Sequence, residues 1–123
     1  MTTPSEARQA TDSGACNAYN VACVSGGPTH IKRILAYGEG AGMKCLIGTD
    51  QESTLGVSAQ VAVGISSPQV TLPCDPMGPV LYTTSPAKER VKAEGSYLSP
   101  FEAPGLGVEI DEAKLAEITV ASA

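Results

Sequence analysis

Tryptophan is absent and phenylalanine occurs once, so aromatic residues make up only 4% of the 123-residue chain. That excludes a core built around large rings, and the abundant Ala, Val and Gly favour close packing of helices on strands. Long apolar runs are missing too: none approaches the roughly 18–20 residues that a membrane-spanning helix needs. Positive charge is scarce, with 8 Lys and Arg against 13 Asp and Glu and a formal charge of −5, which leaves no electrostatic footprint for nucleic acid. The only histidine is His30, and Cys16, Cys23, Cys45 and Cys74 contain no Cys-x-x-Cys pair, which argues against a thiolate zinc site. Three of the cysteines lie in strand-like apolar runs, a pattern that predicts free buried thiols rather than disulfides. The polar start Met1-Thr-Thr-Pro-Ser-Glu6 lacks the basic and apolar regions of a signal peptide, so a soluble cytoplasmic protein is expected.

What is present is a rhythm of helix and strand signals. Thr3-Pro4-Ser5-Glu6 is a capping box with proline at the first helical position, which predicts a helix from Pro4 to about Ser13. Ala18 to Val24 reads as a strand. Pro28 then suits the first turn of a helix carrying Ile31, Ile34 and Leu35 on one face, with Gly38, Gly40 and Gly42 expected to stop it. Lys44 to Ile47 reads as a parallel strand covered on both faces. After it comes a helix started by Ser53 or Thr54, with Leu55, Ala59, Ala62 and Val63 as its apolar stripe. Gln69 to Leu72 is the third strand. Beyond Asp75 the prolines exclude a long helix, Val91–Ala93 and Tyr97–Ser99 predict a small hairpin, and Asp111 is expected to cap a helix from Glu112 to about Ile118. One domain follows, with residues 1–75 forming a helix and three β/α-type units and 76–123 a C-terminal extension.

The stretch from Gly42 to Gly56 carries the chemistry. It sets Glu52 in the loop between a strand end and a helix start, and in parallel α/β folds the crevice beyond the carboxyl ends of the strands is where ligands bind. A second reading has Glu52 complement the positive helix N-terminus, an effect of roughly 0.3–1 kcal/mol. Three strands cannot cover both faces and both edges of a sheet, so the alternation reads as an excerpt from a larger sheet or barrel. His30 is expected on the polar, exposed side of its helix. Ser25-Gly26-Gly27 before a helix could bind an anion through backbone amides, though such glycines more often only turn the chain. Lys88, Glu89, Arg90 and Lys92 read as a solvated mixed-charge surface.

Several phrases in this order, Asn17-Ala-Tyr-Asn20, Ser25-Gly-Gly-Pro28, Gly48-Thr-Asp-Gln-Glu-Ser53, Asp75-Pro-Met-Gly-Pro79 and Ala103-Pro-Gly-Leu-Gly-Val-Glu-Ile-Asp111, together resemble the C-terminal part of the enolase superfamily barrel. The similarity is to the muconate cycloisomerase (muconate lactonizing enzyme) and mandelate racemase branch. It implies an α/β fold, a partial TIM-type (β/α) barrel in which the three strands correspond to the sixth, seventh and eighth. It also implies, for a full-length counterpart, a magnesium-dependent isomerase, lyase or racemase that removes a proton next to a carboxylate of a small substrate. No cofactor is expected in this chain alone, because the Lys-x-Lys motif and the three acidic magnesium ligands of relatives match nothing here.

Residue by residue, the resemblance makes Glu52 the candidate catalytic group, at the acidic position that faces substrate after the seventh strand. Asp75 matches an acidic position after the eighth strand, and with Thr49 and Gln51 it is a candidate for substrate binding; Met77 stands where dipeptide epimerase relatives carry a second acid. The sixth strand departs from the pattern. Ala22 and Cys23 lie where an acid/base lysine is expected, and Cys23 reads as a buried thiol rather than its replacement. A fragment inactive by itself is the leading expectation. The alternative is a noncatalytic module that self-associates or completes a partner barrel through exposed strand edges.

Overall fold

The computed structural model of the protein describes residues 1–23 and 26–120. The Thr3 side chain accepts a hydrogen bond from the Glu6 amide and starts helix α1 (Pro4–Asp12). The reciprocal half of the expected capping box is redirected, since the Glu6 carboxylate accepts from the amide and hydroxyl of Thr2 instead. Strand β1 (Ala18–Val21) follows, then α2 (Gly27–Gly40), β2 (Lys44–Ile47) and α3 (Thr54–Ile65). The two strands pair in parallel, with Ala18 opposite Lys44 and Val21 opposite Ile47. Val24 and Ser25, part of the expected first strand and of the glycine turn, lie outside the described residues.

Alternation along the strands decides where the core lies. Tyr19, Val21, Cys45 and Ile47 point to one face and are buried against Ala7 of α1, Ile31, Ile34 and Leu35 of α2, and Ala59 and Val63 of α3. On the other face Asn20 and Lys44 are exposed and Ala18 and Leu46 half-buried. The expectation that both faces of Lys44–Ile47 would be covered is therefore corrected: among the described residues only the helix side is packed. Gly38 does not stop α2 but lies inside it, where a Cβ would come within 3.0 Å of the Tyr19 ring and 3.2 Å of the Cys45 sulfur. The turn comes later, at Gly42, whose φ of 68° favours glycine. In α3 the expected stripe is rotated: Leu55 is exposed, whereas Val57, Ser58, Gln60 and Val61 are buried with Ala59 and Val63, because α3 packs on two sides.

The third expected strand is reduced to one parallel bridge between Cys45 and Val70. Gln69 O accepts from the Cys45 amide, but the amides of Thr71 and Leu72 both converge on Cys45 O, which bulges the ladder. Pro73 has no N–H, and the Ile47 amide bonds the Cys74 sulfur rather than a backbone carbonyl. Cys74 is exposed and Cys16 half-buried, so of the four free thiols only Cys23 and Cys45 are buried.

Beyond Asp75 comes α4 (Gly78–Leu81), a single turn, followed by a hairpin of β3 (Ala93–Glu94) and β4 (Tyr97–Leu98) that turns at Gly95. Val91, Leu98 and Phe101 pack on Val57 and Val61 of α3 as a second, smaller cluster. Lys88, Glu89, Arg90 and Lys92 are all exposed, as expected of a solvated mixed-charge surface, and two of them are also bonded. Arg90 donates to the carbonyls of Tyr82 (3.0 Å), Thr83 (3.1 Å) and Pro79 (3.3 Å), and Lys88 pairs with Glu109. The Asp111 side chain accepts from the Lys114 amide and caps α5 (Glu112–Ile118), none of whose residues is buried.

Candidate functional site

The carboxyl ends of the two parallel strands meet at Gly48, whose amide donates to Val21 O at 2.8 Å. The Asn20 side chain lies across this point so closely that a Cβ on Gly48 would stand 2.1 Å from its Oδ1. From there the chain enters the loop Thr49–Ser53. The Gln51 amide donates to Thr49 Oγ1 (2.9 Å), a side-chain turn that holds Gln51 at φ 66°. A non-glycine residue in the left-handed region stores strain and points to a functional loop. The Tyr82 hydroxyl, arriving from beyond α4, donates to the Gln51 carbonyl at 2.5 Å and braces it.

This loop fixes the Glu52 carboxylate. Its Oε2 accepts from Thr49 Oγ1 (2.9 Å) and from the Asp50 amide (3.0 Å), and its Oε1 accepts from Gln60 Nε2 at 2.6 Å. These bonds run back toward the strand ends rather than to the first amides of α3, where Ser53 makes no side-chain cap. Gln60 is 1% exposed, and its amide also donates to Gly48 O at 2.9 Å. Leaving a buried polar atom without a partner costs about 1–3 kcal/mol, and Gln60 Oε1 has none among the described residues.

Asp75 reaches the same end of the sheet, its amide donating to Ile47 O at 3.1 Å, while its carboxylate is exposed and makes no hydrogen bond among the described residues. The four residues proposed from the sequence thus sort into two kinds. Glu52 and Thr49 form one hydrogen-bonded unit, whereas the side chains of Asp75 and Gln51 are exposed at the rim and make no hydrogen bond among the described residues. Sequence reasoning missed Gln60, Asn20 and Tyr82. The visible signal for Gln60 was an amide set in the otherwise small and apolar run Val57-Ser-Ala-Gln-Val-Ala-Val63, two helical turns after Glu52.

Cys23 is buried beside this unit, and burial first, then the negative charge of Glu52, pushes its thiol up to about 11. It stays protonated at neutral pH and is no nucleophile. His30 is half-buried, not exposed as expected, and its Nε2 bonds Thr2 O at 2.8 Å. Among the described residues no three His, Cys, Asp or Glu side chains gather as a metal site, so Glu52 and Asp75 do not by themselves fit a divalent ion with its several oxygen ligands. No helix among them is long and apolar enough to cross a membrane. A cleft of about 530 Å³ opens elsewhere, between Lys88, Phe101 and Glu109.

Comparison with known proteins bears on this geometry. A family model described as enolase C-terminal domain-like matches residues 1–114. A chloromuconate cycloisomerase of Pseudomonas putida is 27% identical over 97 residues, covering 79% of this chain and 26% of the relative. The crystal structure of a muconate lactonizing enzyme from Klebsiella pneumoniae superposes with a TM-score of 0.91 at 25% identity, over 98% of this chain and 34% of that one. An N-succinyl Arg/Lys racemase from Bacillus cereus gives a TM-score of 0.90 at 28% identity, over 98% and 32%. The chain spans between about a quarter and a third of the length of these relatives.

Proposed function

The chain belongs to the enolase C-terminal domain-like family, and on that premise we propose that it forms one wall of the active site of a muconate cycloisomerase-like or racemase-like enzyme, built on part of a TIM-type barrel. The relatives' names share substrates that bear carboxylates: muconate, chloromuconate and N-succinyl derivatives of Arg or Lys. The chemistry common to such reactions is movement of a proton at carbon next to a carboxylate. The observation that carries the reading is the anchored Glu52 carboxylate in the loop after β2.

Within that reaction Glu52 is an acceptor. Two donors occupy Oε2 and one occupies Oε1, so Oε1 retains a lone pair for a hydrogen bond or proton from the substrate. Asp75 and Gln51 offer further polar contacts at the rim, and Thr49 acts through Glu52. Magnesium, implied by the resemblance for longer relatives, finds no ligand set in the described residues. Ala22 and Cys23 stand where the resemblance expects the acid/base lysine, so this wall supplies an acceptor without that partner, and the 123-residue chain alone is inactive.

The test is a chimaera in which residues 1–114 replace the matching third of the Klebsiella enzyme, with and without Ala22→Lys. Restored turnover of muconate in the Ala22→Lys form should fall by about 10²–10⁴-fold on Glu52→Gln. Equal turnover with and without Glu52 overturns its role, and magnesium-dependent turnover by the isolated chain overturns the claim of inactivity.

The open face of the sheet, with Asn20 and Lys44 exposed, favours a second reading: a noncatalytic module that self-associates or completes a partner's barrel through that face and its edges. Solution mass discriminates. A strictly monomeric, cooperatively folded chain argues against completion by a partner.

A further inference from the structure

The Glu52 carboxylate is held by donors of two kinds. Thr49 Oγ1 and the Asp50 amide belong to the same loop as Glu52, so they move with it. Gln60 belongs to the buried face of α3, and its second amide hydrogen goes to Gly48 O at the end of β2. Among the described residues, Gln60 supplies the one side-chain hydrogen bond that refers the carboxylate to the helix and sheet framework.

The amide cannot work the other way round. Turned over, it would set its own oxygen against both the Glu52 carboxylate and the Gly48 carbonyl, two acceptors with no proton between them. Its oxygen meanwhile lies buried without a partner. An apolar residue of equal size would satisfy the packing beside Val57 and Val61 without leaving that atom unmatched. Gln60 is therefore a poor choice for packing and a good one for geometry.

We propose that Gln60 is the positioning residue of the candidate site: by clamping Glu52 Oε1 to the end of β2, it fixes which side of the carboxylate looks into the crevice. This rests on the reading of Glu52 as the substrate-facing acceptor, whose own test is the chimaera's turnover.

The experiment is side-chain NMR on the full chain in three forms: wild type, Gln60→Met and Glu52→Gln. Gln60→Met keeps the volume and removes the donor. It is expected to loosen the Glu52 side chain, read from relaxation of its methylene and carboxyl carbons, while the backbone of residues 49–52 stays ordered, and to lower the melting temperature, because Gly48 O and Glu52 Oε1 both lose their donor. A residue that only packs would leave both the Glu52 mobility and the melting temperature unchanged by this volume-conserving swap, and that result overturns the proposal. Glu52→Gln serves if Gln60→Met does not fold. Loss of the charge-assisted bond should speed exchange of the Gln60 side-chain amide hydrogens about tenfold, and unchanged exchange overturns the clamp. These readouts need no turnover, so the clamp can fail while Glu52 keeps its role, and the reverse.

Discussion

Gly78 stands directly against Glu52. A Cβ added at Gly78 would lie 1.6 Å from the Glu52 carbonyl oxygen and 2.9 Å from its amide nitrogen. The loop bearing the carboxylate is thus closed from outside by the first residue of α4, as Gln60 closes it from inside.

Gly78→Ala must displace α4 or the Glu52 backbone. A cost of about 1–3 kcal/mol, or more, is expected from overpacking, read by urea denaturation. Amide chemical shifts at residues 49–52 should move with it. Full stability with unmoved shifts would show that this contact is soft.

Glu52→Gln should lower the Cys23 thiol from about 11, because the carboxylate charge is one of the two causes that hold it up. Burial is the larger cause and remains, so the value should stay above the ordinary 9.0. The Cβ carbon shift of Cys23 followed against pH measures this. No change would separate the two groups electrostatically.

Stability should fall on the alkaline side. The folded state holds the Cys23 proton up to about 11 whereas the unfolded chain releases it near 9.0. Protons are then bound more tightly by the folded form, so the contribution is complete below pH 9 and lost as pH rises to about 11. Cys45, also raised chiefly by burial, acts in the same direction. Denaturation midpoints of wild type and Cys23→Ala across this range give the Cys23 share, and parallel curves would rule it out.

Tyr19 is fully buried, and its hydroxyl bonds Thr11 Oγ1 and the Ala7 carbonyl (3.2 Å), tying β1 to α1. Tyr19→Phe keeps the ring packing against Gly38 and should cost about 1 kcal/mol. Thermal unfolding of the variant checks it, and a loss several-fold larger would mean that the ring itself is displaced.

Asp111→Ala removes the side-chain cap of α5, an effect of about 1 kcal/mol on that helix. Since α5 buries none of its residues, amide exchange should quicken over residues 112–118 while the main melting transition stays in place. A shift of the whole transition would show that α5 is coupled to the core.

The sequence by itself determined several features whose cause is local. Thr3 and Pro4 start α1, Lys44–Ile47 is β2 with the bounds its apolar run suggested, Gly95 turns the hairpin, and Asp111 caps α5. Each depends on neighbours within a few residues, so the signal and its cause share one stretch of chain. Glu52 was legible for the same reason, as an acid between a strand end and a helix start. Tertiary structure decided the rest. Residues 69–72 have strand chemistry, yet a ladder needs a partner along its whole length, and the bulge at Cys45 with the proline at 73 leaves one bridge. Leu55 faces solvent and Gln60 the interior because the burial of α3 is set by two clusters, one on the sheet and one under the hairpin. The partners of Glu52 beyond its own loop, Gln60 and Gly78, lie 8 and 26 positions away in the chain and meet it only when α3 and α4 pack. Periodicity marks which faces are apolar, but which side chain meets which carboxylate is fixed by packing.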